Sequence, residues 1–225
     1  MKTIGILGGL GPESTLEYYA YITRKYYEIQ SDYAYPEIVI YSLSFQDFID
    51  AGYELPDRVK AAIEKMHLAG ADFVVASCNS LHIVYDQVFQ EVPIPWVSIM
   101  DATAEQIKKE GMKKVGLLGT IFTMGKGFYQ KALARHGIEA ITPGIEAQKK
   151  VNEIIFTELV RAVIKDESRQ FVLGCIEELK QNGAQGIILG CTELPFLIKQ
   201  EHTSLQVFDT TTIHAQKALA LAQEG

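Results

Sequence analysis

The sequence predicts an α/β fold of two pseudo-symmetric lobes, each a roughly four-stranded parallel sheet flanked by helices. Short apolar segments alternate with longer segments of helical spacing along almost the whole chain, which is typical of parallel βαβ units. The predicted strands are Thr3–Leu7, Glu37–Leu43, Phe73–Ser77, Ile94–Ile99, Lys114–Leu118, Ile138–Ile141, Gly186–Leu189 and Leu205–Phe208. The clearest predicted helices are Glu54–Leu68, Asp101–Lys109 and Asn152–Ile164.

An internal repeat predicts that the architecture is doubled. The segment MKTIGILGG at 1–9 matches MKKVGLLGT at 112–120, an offset of 111 residues. The segment GADFVVASCNS at 70–80 matches GAQGIILGCTE at 183–193, an offset of 113 residues. More weakly, DATA at 101–104 resembles DTTT at 209–212. Because the blocks recur in the same order at nearly the same offset, we interpret the chain as two copies of one unit.

The repeat also sets the expected domain boundaries. We place the first lobe at about 1–100, completed by a C-terminal helix at 209–225, and the second lobe at about 101–208. No linker rich in Pro, Gly or Ser separates the lobes, so we expect them to pack closely. Ligands of open parallel sheets bind beyond the carboxyl ends of the strands. We therefore expect an active site in the cleft between the lobes.

Composition excludes several classes of function. The net charge of −7, without any cluster of Lys or Arg, argues against a nucleic-acid partner. No apolar run approaches the roughly 18 residues of a membrane span, and the N-terminus lacks the features of a signal peptide. Three cysteines without a CxxC pair favour free thiols over disulfides or structural zinc. We expect a cytoplasmic protein with no membrane partner and no metal site.

Two of the cysteines are candidate catalytic residues. The repeat puts Cys78 and Cys191 at equivalent positions, each where a strand ends and a helix begins. Inverting a carbon stereocentre by proton transfer needs a base on one face and an acid on the other, and two facing lobes would supply both. The field at a helix N-terminus would also favour the thiolates. Cys175 lies in the helical stretch Phe171–Leu179, where packing is the expected role.

The loops paired by the repeat supply candidate substrate-binding residues. The Gly8–Ser14 loop lacks the GxGxxG spacing, so it predicts a tight turn near a small ligand rather than a nucleotide site. Glu193 could receive an α-ammonium group or tune Cys191. His82 could activate Cys78 or only pack beside it. The candidate substrate-binding residues are Gly9, Leu10, Ser14, Asn79, Ser80, Thr120, Thr123, Thr192 and Glu193.

At these residues the chain resembles the aspartate/glutamate/hydantoin racemase superfamily, specifically its amino-acid racemase branch. The motifs that carry the resemblance are GGLGPEST at 8–15, SCNSLH at 77–82, LGT at 118–120, LGCTELP at 189–195 and VFDT at 207–210. The resemblance implies a racemase of aspartate and/or glutamate that uses two thiols and no pyridoxal phosphate or other cofactor. It implies a homodimer as well. It further implies that the α-groups of the amino acid are held by Asn79, Ser80, Thr120, Thr123 and Thr192.

The sequence departs from this family pattern at the distal carboxylate of the substrate. Aspartate racemases are expected to offer an Arg soon after the second strand and a Lys in the second lobe. Here Arg58 is the first Arg after that strand, and Arg161 is the nearest cation of the second lobe. The choice among aspartate, glutamate and neutral amino acids therefore stays open. Two alternatives also remain: a maleate isomerase or arylmalonate-decarboxylase-like enzyme with one working Cys, and a non-catalytic binding protein.

Overall fold

The computed structural model describes residues 1–50 and 54–224, and these residues contain two parallel four-stranded sheets. The strand order is β2-β1-β3-β4 in one sheet and β6-β5-β7-β8 in the other. The strands are β1 (Ile4–Gly8), β2 (Ile38–Ser42), β3 (Phe73–Ala76), β4 (Trp96–Val97), β5 (Lys114–Gly119), β6 (Glu139–Ile141), β7 (Gly186–Gly190) and β8 (Gln206–Asp209). The predicted fold class, a doubled α/β architecture with parallel sheets, is confirmed.

Helices connect the strands in both sheets. They are α1 (Pro12–Gln30), α2 (Phe45–Asp50), α3 (Leu55–Leu68), α4 (Tyr85–Val88), α5 (Ile99–Lys109), α6 (Ile121–Gly125), α7 (Phe128–Arg135), α8 (Ile145–Thr157), α9 (Asp166–Gln181), α10 (Leu194–Leu197) and α11 (Thr210–Gln223). Among the described residues, no helix is both long enough and apolar enough to cross a bilayer.

The chain divides into two compact units. The first comprises Met1–Ile99 and α11 from Thr211 onward, and it contains the β1–β4 sheet. The second is the continuous segment Met100–Thr210, with the β5–β8 sheet.

In the first unit both faces of the sheet are buried. On one face Ile4 and Ile6 of β1 belong to an apolar cluster with side chains of α1 and α11, such as Ile22 and Leu219. On the other face Leu7 lies in a cluster with side chains of α3. This two-sided burial explains why the strands read as continuous apolar runs rather than as alternating patterns.

The core of the second unit lies between its sheet and helices α8 and α9. Ile187 and Leu189 of β7 share one apolar cluster with Val151 of α8 and with Val172 and Ile176 of α9. Each is almost completely buried. Burying a side chain of this size contributes about 1.5–3 kcal/mol, so this layer fixes the position of β7 and of the loop that follows it.

A glycine in each first strand of the repeat lets a helix approach the sheet closely. A Cβ atom added at Gly5 would lie 2.8 Å from the Met66 side chain on α3. One added at Gly116 would lie 2.7 Å from Ile187 and 3.0 Å from Leu179 on α9. The repeated pattern apolar-Gly-apolar therefore reflects the same need in both units, a strand residue without a Cβ where the helix packs.

Two predicted elements differ from the structure. The helix predicted over Asn152–Ile164 is wrong at both ends, because α8 runs Ile145–Thr157 and a short 3₁₀ turn follows. Ala162 after that turn is left-handed, with φ 55°, which ends helical geometry. The strand predicted over Ile94–Ile99 pairs only at Trp96–Val97. Pro95 in that segment has no N–H to donate, although its carbonyl accepts from Val74.

Candidate active site

Cys78 lies just beyond the carboxyl end of β3. Ser77 donates its backbone N–H to the carbonyl of Leu7, 3.0 Å away, and so extends the pairing of β3 with β1 by one residue. Cys78 follows and is partly exposed, whereas the neighbouring candidates Asn79 and Ser80 are buried. The pairing of Ser77 with β1 therefore fixes the backbone position of Cys78, the next residue.

His82 forms hydrogen bonds to backbone atoms through both of its ring nitrogens. Its Nδ1 lies 3.0 Å from the carbonyl oxygen of Cys78, and its Nε2 lies 3.2 Å from the backbone N of Ile99. A carbonyl can only accept and a backbone N–H can only donate, so Nδ1 carries the hydrogen and Nε2 accepts. With its side chain only 1% exposed, the neutral imidazole binds backbone groups through both nitrogens. The geometry supports the packing interpretation of His82 over thiol activation.

A second buried histidine lies behind His82. The ring centroids of His82 and His214 are 6.0 Å apart. Tyr18 donates its hydroxyl to Nδ1 of His214 at 2.7 Å, and Nε2 of His214 donates to the carbonyl of Val97 at 3.0 Å. Burial, together with the nearby His82, lowers the pKa of His214 to about 3. Sequence reasoning missed this pair, because the two histidines lie more than a hundred positions apart.

The Gly8–Ser14 loop packs against the residues that follow β3. Gly9 has φ 88°, and a Cβ there would collide with the backbone of Leu43. Its N–H donates to Thr15 Oγ1 at 3.0 Å, and Thr15 Oγ1 shares a hydrogen bond of 3.2 Å with Ser77 Oγ. Thr15, a residue that the sequence analysis did not single out, thus joins the loops that follow β1 and β3.

The other candidates of this loop are interior residues. Leu10 is buried in the apolar cluster that also contains Leu7 and Leu81. Ser14 is 2% exposed, and its backbone N–H donates to the carbonyl of Gly11 at 3.1 Å. Leu10 therefore packs in the apolar interior of the first unit.

In the second unit the equivalent loops lie beside each other at the carboxyl edge of the sheet. Gly119 of β5 pairs with Gly190 of β7, so Thr120 and Cys191 directly follow neighbouring strand ends. Thr120 caps α6, since its Oγ1 accepts the N–H of Thr123 at 3.3 Å. Thr123 is fully buried, and a Cβ at Gly190 would lie 3.0 Å from its methyl group. Thr123 therefore packs closely against the ends of both strands.

Cys191 makes a direct hydrogen bond with Glu193. Its Sγ lies 2.7 Å from Glu193 Oε2, and the hydroxyl of Thr192 donates to the same oxygen at 2.8 Å. Cys191 is 8% exposed. The two donors converge on one carboxylate oxygen, which is the arrangement expected when the sulfur carries its hydrogen.

The third cysteine has a different environment. Cys175 is buried within α9 in the apolar core of the second unit. Burial raises the pKa of its thiol, and Glu178 acts in the same direction. A thiol that resists ionisation in an apolar core is inert, in agreement with the packing role expected for it.

The helices after the two candidate thiols are short. Cys78 precedes a five-residue 3₁₀ turn and the four-residue α4, and Cys191 precedes the four-residue α10. The helix N-terminal field expected to favour the thiolates would therefore come from short segments only. Across residues 1–50 and 54–224, no three His, Cys, Asp or Glu side chains are grouped so that they could hold a metal ion.

The structure thus groups the candidates unit by unit. In the first unit Gly9, Cys78, Asn79 and Ser80 follow the carboxyl ends of β1 and β3. In the second unit Thr120, Cys191, Thr192 and Glu193 follow the ends of β5 and β7.

Comparison with known proteins places this architecture in a family. The family model described as Asp/Glu/hydantoin racemase matches residues 7–218. The broad specificity amino-acid racemase RacX of Bacillus subtilis is 28% identical over 228 residues, covering 96% of each chain. An aspartate racemase homologue from Pyrococcus horikoshii has 42% identity and a TM-score of 0.89, over 99% of this chain and 100% of that one. Picrophilus torridus aspartate racemase, at 23% identity, shares the fold with a TM-score of 0.76 over 99% and 95% of the two chains. The chain therefore belongs to the Asp/Glu/hydantoin racemase family, which confirms the family and the enzyme class, an amino-acid racemase, predicted from its sequence.

Proposed function

We propose that this protein inverts the α-carbon of an acidic amino acid, aspartate and/or glutamate, without a cofactor, using Cys78 and Cys191 as a two-base pair. The observation that carries the proposal is the equivalence of the two thiols. Each lies within two residues of the carboxyl end of the strand that pairs with the first strand of its sheet, β3 with β1 and β7 with β5. Two repeated units each supply one such group, which meets the need of a stereoinversion for an acid and a base.

In the proposed mechanism the two sulfurs act on opposite faces of the α-carbon. One thiolate removes the α-hydrogen, and the other thiol returns a hydrogen to the opposite face. The roles exchange when the reaction runs from the other enantiomer. Oriented neutral donors would stabilise the carbanion in a site that excludes water. We assign that role to Asn79, Ser80, Thr120 and Thr192, with the backbone at Gly9.

The substrate class rests on the relatives and on charge. The named relatives include a broad specificity amino-acid racemase and an aspartate racemase homologue. Arg58, the first Arg after β2, is engaged with the carboxylates of Asp47 and Glu54 at 3.5 and 3.6 Å. Since Arg58 is already paired, we assign the distal carboxylate of an acidic substrate to backbone or hydroxyl donors.

The first test is racemisation in deuterated water. Both enantiomers of aspartate, glutamate and several neutral amino acids are incubated with the protein. The products are separated by chiral chromatography, and their deuterium content is measured by mass spectrometry. We expect α-deuterium in the inverted product, with acidic amino acids leading. Conversion of maleate to fumarate without α-exchange would instead indicate isomerase chemistry.

The second test removes each thiol. Cys78→Ser and Cys191→Ser should each lower kcat/KM by about 10²–10⁴-fold, the usual contribution of a general acid or base. Cys175→Ala is the matched control, because that thiol lies in the core, and its kcat/KM should stay near the unaltered value. Retained activity in the Cys78→Ser/Cys191→Ser double variant would refute the two-thiol mechanism.

We also propose a homodimer in the cytoplasm. Several tyrosines of α1 and of the loop after it are exposed: Tyr19, Tyr27, Tyr33 and Tyr35 are each at least 40% accessible. Exposed aromatic surface favours association. The thiol chemistry needs reduced sulfur, which favours a reducing compartment. Light scattering after size exclusion tests the dimer, and a single 25.1 kDa species at all concentrations would contradict it.

A further inference from the structure

The two candidate thiols have different neighbours. The repeat aligns Cys78-Asn79-Ser80 with Cys191-Thr192-Glu193, so a neutral hydroxyl in the first unit corresponds to a carboxylate in the second. Ser80 is a buried residue of the 3₁₀ turn after Cys78. Glu193 instead accepts a hydrogen bond from the sulfur of Cys191 at 2.7 Å. The doubled architecture is therefore not symmetric in charge at the position where proton transfer is proposed.

A carboxylate this close to the sulfur stabilises its thiol form and destabilises its thiolate form. The thiol form donates its hydrogen to Oε2, and this bond is charge-assisted. The thiolate form would place two negative charges at the same separation, with no hydrogen between them. Thr192 donates to the same oxygen at 2.8 Å, which keeps the carboxylate oriented on Cys191.

Resting on the two-thiol function proposed above, we infer that Glu193 is a positioning residue that holds Cys191 protonated in the free enzyme. Cys191 is then the resting acid and Cys78 the resting base. This assignment chooses between the two roles open to Glu193 from its sequence position, in favour of tuning the thiol over binding the α-ammonium group.

The proton balance follows directly. The Cys78 thiolate takes the α-hydrogen, so a C–H bond breaks, an S–H bond forms, and the electron pair stays on the α-carbon. The S–H bond of Cys191 then breaks, and its proton joins that pair on the opposite face. The enzyme is left with a Cys78 thiol and a Cys191 thiolate beside Glu193. This is the less stable form, and it returns to the resting form by proton exchange with solvent.

The experiment titrates each thiol alone by thiolate absorbance near 240 nm, which does not depend on racemase activity. The chain carrying Cys78→Ser and Cys175→Ser reports only Cys191. Adding Glu193→Gln, which keeps the shape and removes the charge, should increase the thiolate fraction of Cys191 at pH 7 about tenfold, a shift of about one pH unit in the midpoint. Glu193→Asp, whose carboxylate is drawn back by one methylene, should shift the midpoint in the same direction by less.

The control is the same Glu193→Gln change in the chain carrying Cys191→Ser and Cys175→Ser, which reports only Cys78. Its midpoint should move by a small fraction of the change seen at Cys191. An unchanged or raised Cys191 midpoint, or an equal shift at Cys78, would overturn the inference. Circular dichroism spectra confirm that each variant is folded, and Glu193→Asp replaces Glu193→Gln if the latter does not fold.

The outcome is separable from the proposed function. If no amino acid is racemised, the proposed function is contradicted. The titration still reports whether Glu193 controls the ionisation of the Cys191 thiol. Racemisation with no shift in the Cys191 titration would keep the function and remove the inference. In an active enzyme, Glu193→Gln should also change kcat and KM differently for the two enantiomers. Their kcat/KM values stay equal, because the equilibrium constant between mirror images is one.

Discussion

The loop around Cys78 and the loop around Cys191 occupy equivalent places in two copies of one sheet, but different chemistry holds them. In the first unit a neutral histidine binds the backbone carbonyl of Cys78 at 3.0 Å. In the second unit a carboxylate binds the sulfur of Cys191 itself at 2.7 Å. The duplicated strands preserve where each thiol lies, whereas the residues after it differ in charge, neutral after Cys78 and acidic at Glu193 after Cys191. A repeat can therefore keep the geometry of a reaction while its two halves specialise.

The largest expected effect separates two glycines, one in each unit. Gly9 in the Gly8–Ser14 loop has φ 88°, and a Cβ would collide with the backbone of Leu43. Gly127 in the second unit has φ 77°, but a Cβ there meets nothing within 4 Å. We expect Gly9→Ala to lower the free energy of unfolding by about 3–5 kcal/mol, since strain and collision add, and Gly127→Ala by about 1 kcal/mol from strain alone. Urea denaturation measures both, and equal losses would contradict the tight turn at Gly9.

The next largest effect on the free energy of unfolding is expected where a side chain hydrogen-bonds to backbone groups. His82→Ala removes two hydrogen bonds, those with the Cys78 carbonyl and the Ile99 N–H, whereas Asn152→Ala removes one, that with the Ile121 N–H at 2.9 Å. Loss of a hydrogen bond at a buried group costs about 1–3 kcal/mol. We expect a loss of about 2–5 kcal/mol for His82→Ala and about 1–2 kcal/mol for Asn152→Ala by urea denaturation. A smaller loss at His82 would show that its two bonds do not support the turn.

The buried histidine pair makes the first unit sensitive to acid. The pKa of His214 is about 3 in the fold because burial disfavours the charged ring, and it is near 6.5 when the chain is unfolded. Between these values the unfolded state binds more protons, so stability falls as the pH drops from about 6.5 towards 3, by at most about 1.4 kcal/mol per pH unit. Replacing the titrating ring in His214→Gln should flatten this part of the stability curve. Denaturation midpoints from pH 4 to 7 compare the two proteins, and parallel curves would contradict the prediction.

Much of the fold could be predicted because burial on both faces of a parallel sheet leaves a plain apolar signal. The repeat of Gly5 at Gly116 is the strongest case, since both glycines admit a helix against the sheet. The helix expected over Asn152–Ile164 failed because nothing in its apolar spacing announces the left-handed Ala162. The positions of the two thiols followed from the repeat, but their partners did not. Whether Glu193 meets the sulfur of Cys191 depends on the turn between them, which residue types alone leave undetermined.

The division of the chain has a consequence for how the protein is made. The second unit is one uninterrupted segment, Met100–Thr210, whereas the first needs α11, whose Ala215, Ala218 and Leu219 complete its core. The backbone N–H of Lys2 even donates to the carbonyl of Ala222 at 2.9 Å. A ribosome releases the chain from its N-terminus onward. We therefore expect the second unit to complete its core first, although it is synthesised after β1. The first unit completes its core only when α11, about two hundred residues after β1, has been synthesised.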